Sequence, residues 1–168
     1  MRHTRVLVLC GLLMTAVASL SFAMGNPGFI NETLVGKPAA DFTLNTLKEK
    51  NVNMTKYRGG QKAILFFWAT WCPHCRVELK RLNELHDEIA AKGIKIILVS
   101  LGESKETVQE FILRNRYPFD VFIDEEQSLE NAYQVVGVPT VVFVDEKGAV
   151  TYVDHALPDD YQAPFGSK

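Results

Sequence analysis

The stretch AILFFWATWCPHC, residues 63–75, decides the fold of this chain. Its first six residues, Ala63 to Trp68, are all apolar and too few for a helix, which is typical of a strand covered on both faces of a sheet. Two cysteines, Cys72 and Cys75, follow the strand with two residues between them. The sequence therefore predicts a pair of thiols at the junction between a central strand and the element that it leads into.

The element after the thiols is predicted to be an amphipathic helix. Apolar residues recur at spacings of three and four over 77–90, with charges between them, and Gly93 ends the pattern. Pro73 suits the first helical position, where no N–H partner is needed. Unpaired N–H groups and the helix dipole favour a thiolate at this end of a helix. Cys72 is therefore expected to be the attacking thiol, and Cys75, one turn further in, the resolving thiol.

Other uses of the cysteine pair are less favoured. A zinc site needs four ligands, and beyond the pair the chain offers only the scattered His74, His86 and His155. Haem attachment requires His directly after the second cysteine, where Arg76 stands. A purely structural disulfide would close a tiny loop and restrain the unfolded chain little. Because residues at i and i+3 of a helix are neighbours, the pair can open and close at small cost, and we expect redox exchange without a metal or organic cofactor.

Composition limits the remaining possibilities. With 168 residues, 47% of them hydrophobic and 23% charged, the chain has material for one globular core. Its 18 Lys and Arg against 20 Asp and Glu give a net charge of −2, so there is no basic field to hold nucleic acid. Three cysteines are too few for a disulfide-stapled miniprotein. We expect a single-domain monomer that does not bind nucleic acid.

The N-terminus has the pattern of an export signal. Arg2 and Arg5 precede an uncharged apolar run, and Ala23 ends a segment of small residues of the kind that signal peptidase cleaves. A retained N-terminal membrane anchor is the alternative, because the uncharged run is about as long as a bilayer-spanning helix. Export would place the dithiol in the periplasm or elsewhere outside the cytosol. The chain divides into a signal peptide at 1–23, a linker at 24–33, a folded domain at 34–154 and an irregular tail at 155–168.

The predicted domain alternates strands and helices. Besides the central strand and its helix, the patterns predict strands at 41–44, 94–101, 121–124, 140–144 and 149–153, a helix at 105–116 and a helical turn near 128–134. Lys147-Gly148 is a hairpin turn, so the last two strands are antiparallel. This order predicts an α/β fold with a mixed central sheet flanked by helices.

Three motifs of the domain occur together in one known superfamily. They are WATWCPHC at 68–75, Val-Pro-Thr at 138–140 and the opening VGKPAADFTL at 35–44. The combination resembles the thioredoxin superfamily, and within it the exported TlpA/ResA-like thiol-disulfide oxidoreductases. The resemblance implies a thioredoxin-like fold in which Pro139 is cis and faces the dithiol. It also implies that Val138 pairs by its backbone with the substrate chain.

The proton path of the resolving thiol departs from that of thioredoxins proper. Where thioredoxins carry a buried Asp that moves this proton, the chain has Phe66. Glu78, three residues after Cys75, stands where TlpA/ResA-like proteins hold a glutamate near the active site. We therefore expect Glu78 to accept the proton of Cys75.

The residues beside the cysteines are expected to shape the site. His74, together with Pro73, resembles the pair in the strongly oxidising DsbA-like proteins and would favour the Cys72 thiolate. Trp68 and Trp71 are expected to pack around the site rather than to bind a cofactor. The redox direction consequently stays open at this point.

The resemblance also implies a cellular role. It suggests exchange with protein dithiols and disulfides through a mixed disulfide, in envelope protein or cytochrome c maturation, and recharging by a membrane thiol carrier of the DsbD/CcdA kind. A redoxin-type thiol peroxidase is one rival, although the residues before Cys72 lack the Thr-x-x-Cys spacing of such enzymes. A thioredoxin-like copper carrier that uses Cys72, Cys75 and a His is the other.

Overall fold

The computed structural model describes residues 34–166, so the predicted signal peptide and linker lie outside the described residues. The strands are β1 (Thr43–Thr46), β2 (Val52–Asn53), β3 (Lys62–Trp68), β4 (Ile94–Leu101), β5 (Val121–Asp124), β6 (Thr140–Val144) and β7 (Val150–Asp154). The helices are α1 (Met54–Arg58), α2 (Pro73–Glu84), α3 (His86–Ala91), α4 (Lys105–Asn115) and α5 (Glu130–Tyr133), and a 3-10 turn follows at Ala163–Phe165. Within 34–166, no helix has both the length and the apolar character needed to cross a membrane.

The strands form one mixed sheet in the order β2-β1-β5-β4-β3-β6-β7. Strands β3, β4 and β5 are parallel, whereas β6 is antiparallel to β3 and to β7, and β1 is antiparallel to β5. The predicted α/β class, the mixed sheet and the final antiparallel hairpin are confirmed.

Strand β3 is central because both of its faces are covered. All six residues from Ala63 to Trp68 are fully buried. Ile64, Phe66 and Trp68 pack into the same core as the two cysteines, and the alternate residues pack into the core on the other face. Full burial of a large apolar side chain contributes about 1.5–3 kcal/mol, so this strand anchors both layers of the domain. Because β3 is held on both faces, the position of the cysteine pair that follows its carboxyl end is fixed.

The helix predicted to run from the cysteines to Gly93 is interrupted. It consists of α2 and α3, and the break lies at Leu85, whose φ of −94° and ψ of 0° leave the helical region. The apolar spacing continues across the break, since Leu82 and Ile89 are both buried. The interruption therefore leaves no mark in the sequence pattern.

The first strand is displaced from its predicted position, and two small elements were not predicted. Asp41 does not join the sheet, because its carboxylate accepts hydrogen bonds from the backbone N–H and hydroxyl of Thr55 at 3.1 and 2.8 Å. Asn53 also caps α1, accepting from the Lys56 N–H at 3.0 Å. These contacts fix β2 and α1 in a stretch without apolar periodicity.

The C-terminal tail packs against the domain as irregular chain with one 3-10 turn. Leu157 and Tyr161 are buried in the core that contains the cysteines. The Arg81 guanidinium donates to the carbonyls of Leu157 and Pro158, and the Tyr161 hydroxyl donates to Glu88 at 2.6 Å. The tail lacks helical periodicity because single side chains and backbone carbonyls, rather than a helical face, make its contacts.

Shortening Leu157 tests this packing. We expect Leu157→Ala to lower the free energy of unfolding by about 2–4 kcal/mol, because it leaves a cavity in the core. The measurement is denaturant unfolding of the oxidised protein, with the exposed Gln162→Ala as the matched control, expected within about 0.5 kcal/mol of wild type. Equal stability of the two variants would show that the tail is not part of the core.

Candidate active site

Cys72 and Cys75 form a disulfide at the start of α2. Cys72 is the residue that caps the helix, and its Sγ accepts a hydrogen bond from the Cys75 N–H at 3.1 Å. Pro73 occupies the first helical turn, as predicted. Cys75 is fully buried, whereas Cys72 keeps 3% of its surface exposed. An incoming thiolate can therefore approach the pair only from the side of Cys72.

The loop before β6 faces the disulfide. The Val138–Pro139 peptide bond is cis, as the resemblance implies. The Val138 carbonyl oxygen lies 3.5 Å from Cys72 Sγ. Neither Val136 nor Val138 has a backbone–backbone hydrogen bond to any residue in the described part of the chain. This segment therefore presents free backbone groups directly beside the reactive sulfur.

A groove of about 660 Å³, hereafter the larger groove, opens between this loop and α2. Its floor is mostly apolar, and three titratable side chains line it, namely His74, Glu78 and His155. The exposed side chains of Val77 and Val136 stand at its edges. The larger groove can hold an apolar side chain next to the disulfide.

Glu78 is partly buried in the larger groove, as required of a residue that exchanges a proton near the cysteines. Its Oε2 accepts a hydrogen bond from the Leu157 N–H at 3.1 Å. Phe66, which stands where thioredoxins carry a buried Asp, is fully buried in the core that also holds Cys75. At this position β3 therefore offers no carboxylate to accept the proton of Cys75. The role of Glu78 as proton acceptor stays a prediction.

His155, which the sequence analysis considered only as a scattered zinc ligand, lines the larger groove. Its Nδ1 lies 2.9 Å from the Pro139 carbonyl oxygen, and since a carbonyl only accepts, Nδ1 carries the proton and donates it. The imidazole therefore binds the Pro139 carbonyl just beyond the point where the pairing of β6 with β7 stops, at Val141 with Asp154. Only the spatial meeting of the two strand ends could have indicated this contact.

The two tryptophans predicted to pack around the site differ in burial. Trp68 is fully buried and its ring contacts Phe111, whereas Trp71 is 66% exposed. Trp71 stands on the turn where the chain has already left the sheet, so no second layer covers its indole. It shapes the surface beside Cys72 rather than the core beneath it.

Glu103 fixes the turn that precedes the cysteines. Its carboxylate accepts hydrogen bonds from the Thr70 backbone N–H, at 2.7 Å, and from the Thr70 hydroxyl. The Thr70 carbonyl accepts from Arg76 Nε at 2.8 Å. All three polar groups of Thr70 are thus held, two residues before Cys72. The sequence analysis missed Glu103, although the carboxyl ends of parallel neighbouring strands such as β3 and β4 lie at one edge of the sheet.

The described residues contain no group of three or more His, Cys, Asp or Glu side chains arranged to hold a metal ion. His86, one of the histidines considered for a zinc site, instead lies beside the Phe119 ring and the Asp87 carboxylate. The chemistry that the arrangement supports is that of the cysteine pair itself.

Comparisons with known proteins agree with this geometry. The thiol-disulfide oxidoreductase ResA of Geobacillus kaustophilus is 31% identical over 154 residues, which cover 90% of this chain and 88% of that protein. The crystal structure of StoA from Bacillus subtilis superposes with a TM-score of 0.60 at 28% identity, covering 70% of this chain and 88% of that one. The thioredoxin domain of a thiol-disulfide oxidoreductase from Bacteroides vulgatus shares the fold, with a TM-score of 0.67 at 23% identity, covering 76% and 91%.

A thioredoxin-like fold with a cysteine pair at this helix terminus defines an enzyme, a thiol-disulfide oxidoreductase. A family model, that of the AhpC/TSA family, matches residues 35–153. The chain belongs to the AhpC/TSA family.

Removing the Thr70 hydroxyl tests how the redox turn is held. We expect Thr70→Val to lower the free energy of unfolding by about 1–2 kcal/mol, because one Glu103 oxygen loses its donor. We also expect Cys72 of the reduced protein to be alkylated more slowly by iodoacetamide, since the turn that places it at the helix terminus is less fixed. Thr70→Ser, which keeps the hydroxyl, should restore both values. Wild-type stability and alkylation in Thr70→Val would contradict this role.

Proposed function

We propose that the chain exchanges disulfides with extended segments of protein substrates outside the cytosol, with Cys72 forming the mixed disulfide. The observation that carries the proposal is the position of Cys72. It is the less deeply buried member of the pair, with 3% of its surface exposed, and it lies 3.5 Å from the carbonyl of Val138, in a segment with free backbone groups. A substrate strand that pairs with this segment would bring its own sulfur to Cys72.

In the reducing direction the exchange takes two steps. The Cys72 thiolate attacks one sulfur of a substrate disulfide, the substrate S–S bond breaks, and the other substrate sulfur leaves as a thiolate. Cys75 then loses its proton and attacks the Cys72 sulfur, which releases the second substrate thiolate. The substrate gains two electrons and two protons, and the enzyme dithiol becomes the Cys72–Cys75 disulfide. The oxidising direction is the reverse.

The surroundings of Cys72 support a polypeptide rather than a small-molecule substrate. Trp71, Val77 and Val136 are all more than 60% exposed, although they are large apolar residues. Val77 and Val136 line the larger groove and Trp71 directly precedes Cys72, and exposed apolar patches of this kind mark protein-binding surfaces. The larger groove adds a place for an apolar side chain of the substrate.

The proposed location outside the cytosol is supported by the charged and apolar pattern at 1–23. A dithiol there must be recharged by another thiol system, and a membrane thiol carrier of the DsbD/CcdA kind would supply electrons. Envelope proteins and apocytochromes c awaiting haem are the clients that we propose. N-terminal sequencing of the mature protein from a cell envelope fraction tests cleavage against retention of an anchor.

The redox direction depends on how far the helix terminus and His74 stabilise the Cys72 thiolate. Each tenfold change in the exchange equilibrium corresponds to about 30 mV for this two-electron couple. The equilibrium reduction potential of the pair against glutathione therefore separates a reductant from an oxidant.

Serine substitutions test the assignment of the two cysteines. We expect Cys72→Ser to abolish reduction of insulin disulfides, because no exposed sulfur is left to attack. Cys75→Ser should accumulate a mixed disulfide with the substrate, visible on non-reducing gels and by mass spectrometry, since nothing resolves it. Full insulin reduction by Cys72→Ser, or rapid peroxide consumption without a dithiol partner, would refute the proposal.

The role of Glu78 is tested in the second step. Glu78→Gln keeps an oxygen that can accept from the Leu157 N–H, so the tail contact is preserved while the proton acceptor is lost. We expect the release of substrate from a preformed mixed disulfide to slow and its dependence on pH to differ from that of the wild-type protein. Glu84→Gln, on the exposed surface of the same helix, is the matched control. An unchanged pH profile would leave Glu78 as a tail contact only.

A further inference from the structure

A second groove, hereafter the smaller groove, shares the segment 136–138 with the larger groove and has a volume of about 250 Å³. Its other walls come from different elements. Trp71 stands on the redox turn, Leu101 ends β4, and Glu130 begins α5. The two grooves therefore flank the segment that presents its backbone beside Cys72.

The indole of Trp71 gives the smaller groove an aromatic wall. Its side chain is 66% exposed, and no ring or cation among residues 34–166 stacks on it. Leu101 and Val135 complete an apolar lining. A long side chain with a flexible hydrocarbon stem would find contact along this wall.

Glu130 is the only ionisable residue in the lining of the smaller groove. It is partly buried, and in the described part of the chain its carboxylate has neither a hydrogen-bond donor nor a salt-bridge partner. Asp124, by contrast, lies on the preceding strand and is fully engaged by the N–H groups of Ser128 and Leu129. The Asp124 carboxylate therefore stabilises the fold, whereas the Glu130 carboxylate is available to a ligand.

Gln127 forms part of the edge of the smaller groove. It has a positive φ of 55°, which is uncommon for a residue with a side chain. Its side chain lies against Gly102, where an added Cβ would approach Gln127 Nε2 to 3.0 Å. The neutral amide adds a polar group to this edge without a charge that would compete with Glu130.

We propose that the smaller groove is a subsite for a basic side chain, arginine or lysine, that lies close to the reactive cysteine of the substrate. This inference rests on the proposed exchange with polypeptides. The hydrocarbon stem would lie on the apolar wall, and the cation would meet the indole face of Trp71 and the carboxylate of Glu130. A substrate carboxylate would be repelled, and an apolar side chain would leave Glu130 without a partner.

The position of the basic residue follows from the geometry of the shared segment. Residues 136–138 border both grooves, and the Val138 carbonyl is the atom beside Cys72 Sγ. An extended chain advances about 3.3 Å per residue, so a side chain in the smaller groove lies within about three positions of the substrate cysteine. The enzyme is thereby expected to prefer cysteines with a basic neighbour.

Disulfide-bonded peptides test this preference. Otherwise uncharged peptides carry Arg, Gln or Glu at each of the three positions on either side of one cysteine. The second-order rate constant for oxidation of the reduced protein is measured for each peptide by acid quenching and mass spectrometry. We expect an arginine at the preferred position to react about five-fold faster than glutamine, and glutamate to react more slowly than glutamine, with both differences shrinking in 1 M salt.

Variants of Glu130 assign the preference to the groove. The ratio of the arginine to the glutamate rate constant should fall below about two in Glu130→Gln and should invert in Glu130→Lys. Glu126→Gln, an exposed carboxylate outside the lining, should keep the wild-type ratio. Because each ratio is taken within one variant, a general loss of activity does not affect it.

The outcomes separate this inference from the proposed function. Equal reaction of the wild-type protein with all peptides, or an arginine preference that Glu130→Lys retains, would overturn the basic subsite and leave polypeptide exchange standing. Reaction with hydroxyethyl disulfide but with no peptide would overturn the proposed function, and the subsite with it.

Discussion

The N-terminus of α2 imposes the constraint on which the rest of the site depends. A helix begins with N–H groups that have no partner inside it, and here the sulfur of Cys72 accepts one of them, from Cys75. The atom that caps the helix is thus one of the two sulfurs of the disulfide. Because β3 is buried on both faces up to Trp68, the chain reaches this point in a fixed direction. Burial of the strand, capping of the helix and exposure of one sulfur are consequences of the same junction.

The site is assembled where several elements end. The turn with Thr70 follows β3, Glu103 follows β4, and His155 follows β7. The cis Val138–Pro139 bond precedes β6. Glu103 and His155 are each held by a hydrogen bond to the backbone of a neighbouring segment, at Thr70 and Pro139 respectively. The core therefore fixes the strand ends, and the strand ends fix the site.

The sequence predicted the buried elements well and the polar contacts poorly. The runs at 63–68 and 94–101 were recognisable because each is continuous and apolar, and the cysteine pair because its spacing is specific. α1 was not predicted, since its first turn depends on Asp41, fourteen residues away in sequence. The pairing of Glu103 with Thr70 likewise joins distant positions. Such contacts have no period, so only the folded arrangement reveals them.

Two roles of Glu78 together limit which residues can replace it in evolution. If this carboxylate takes the proton of the resolving thiol, it does so while it also anchors the tail through the Leu157 N–H. A change at position 78 that suits one duty would disturb the other. Among homologues, a replacement that leaves no side-chain oxygen at position 78 is therefore expected to accompany a remodelled C-terminal segment, although 79 positions separate the two regions in sequence.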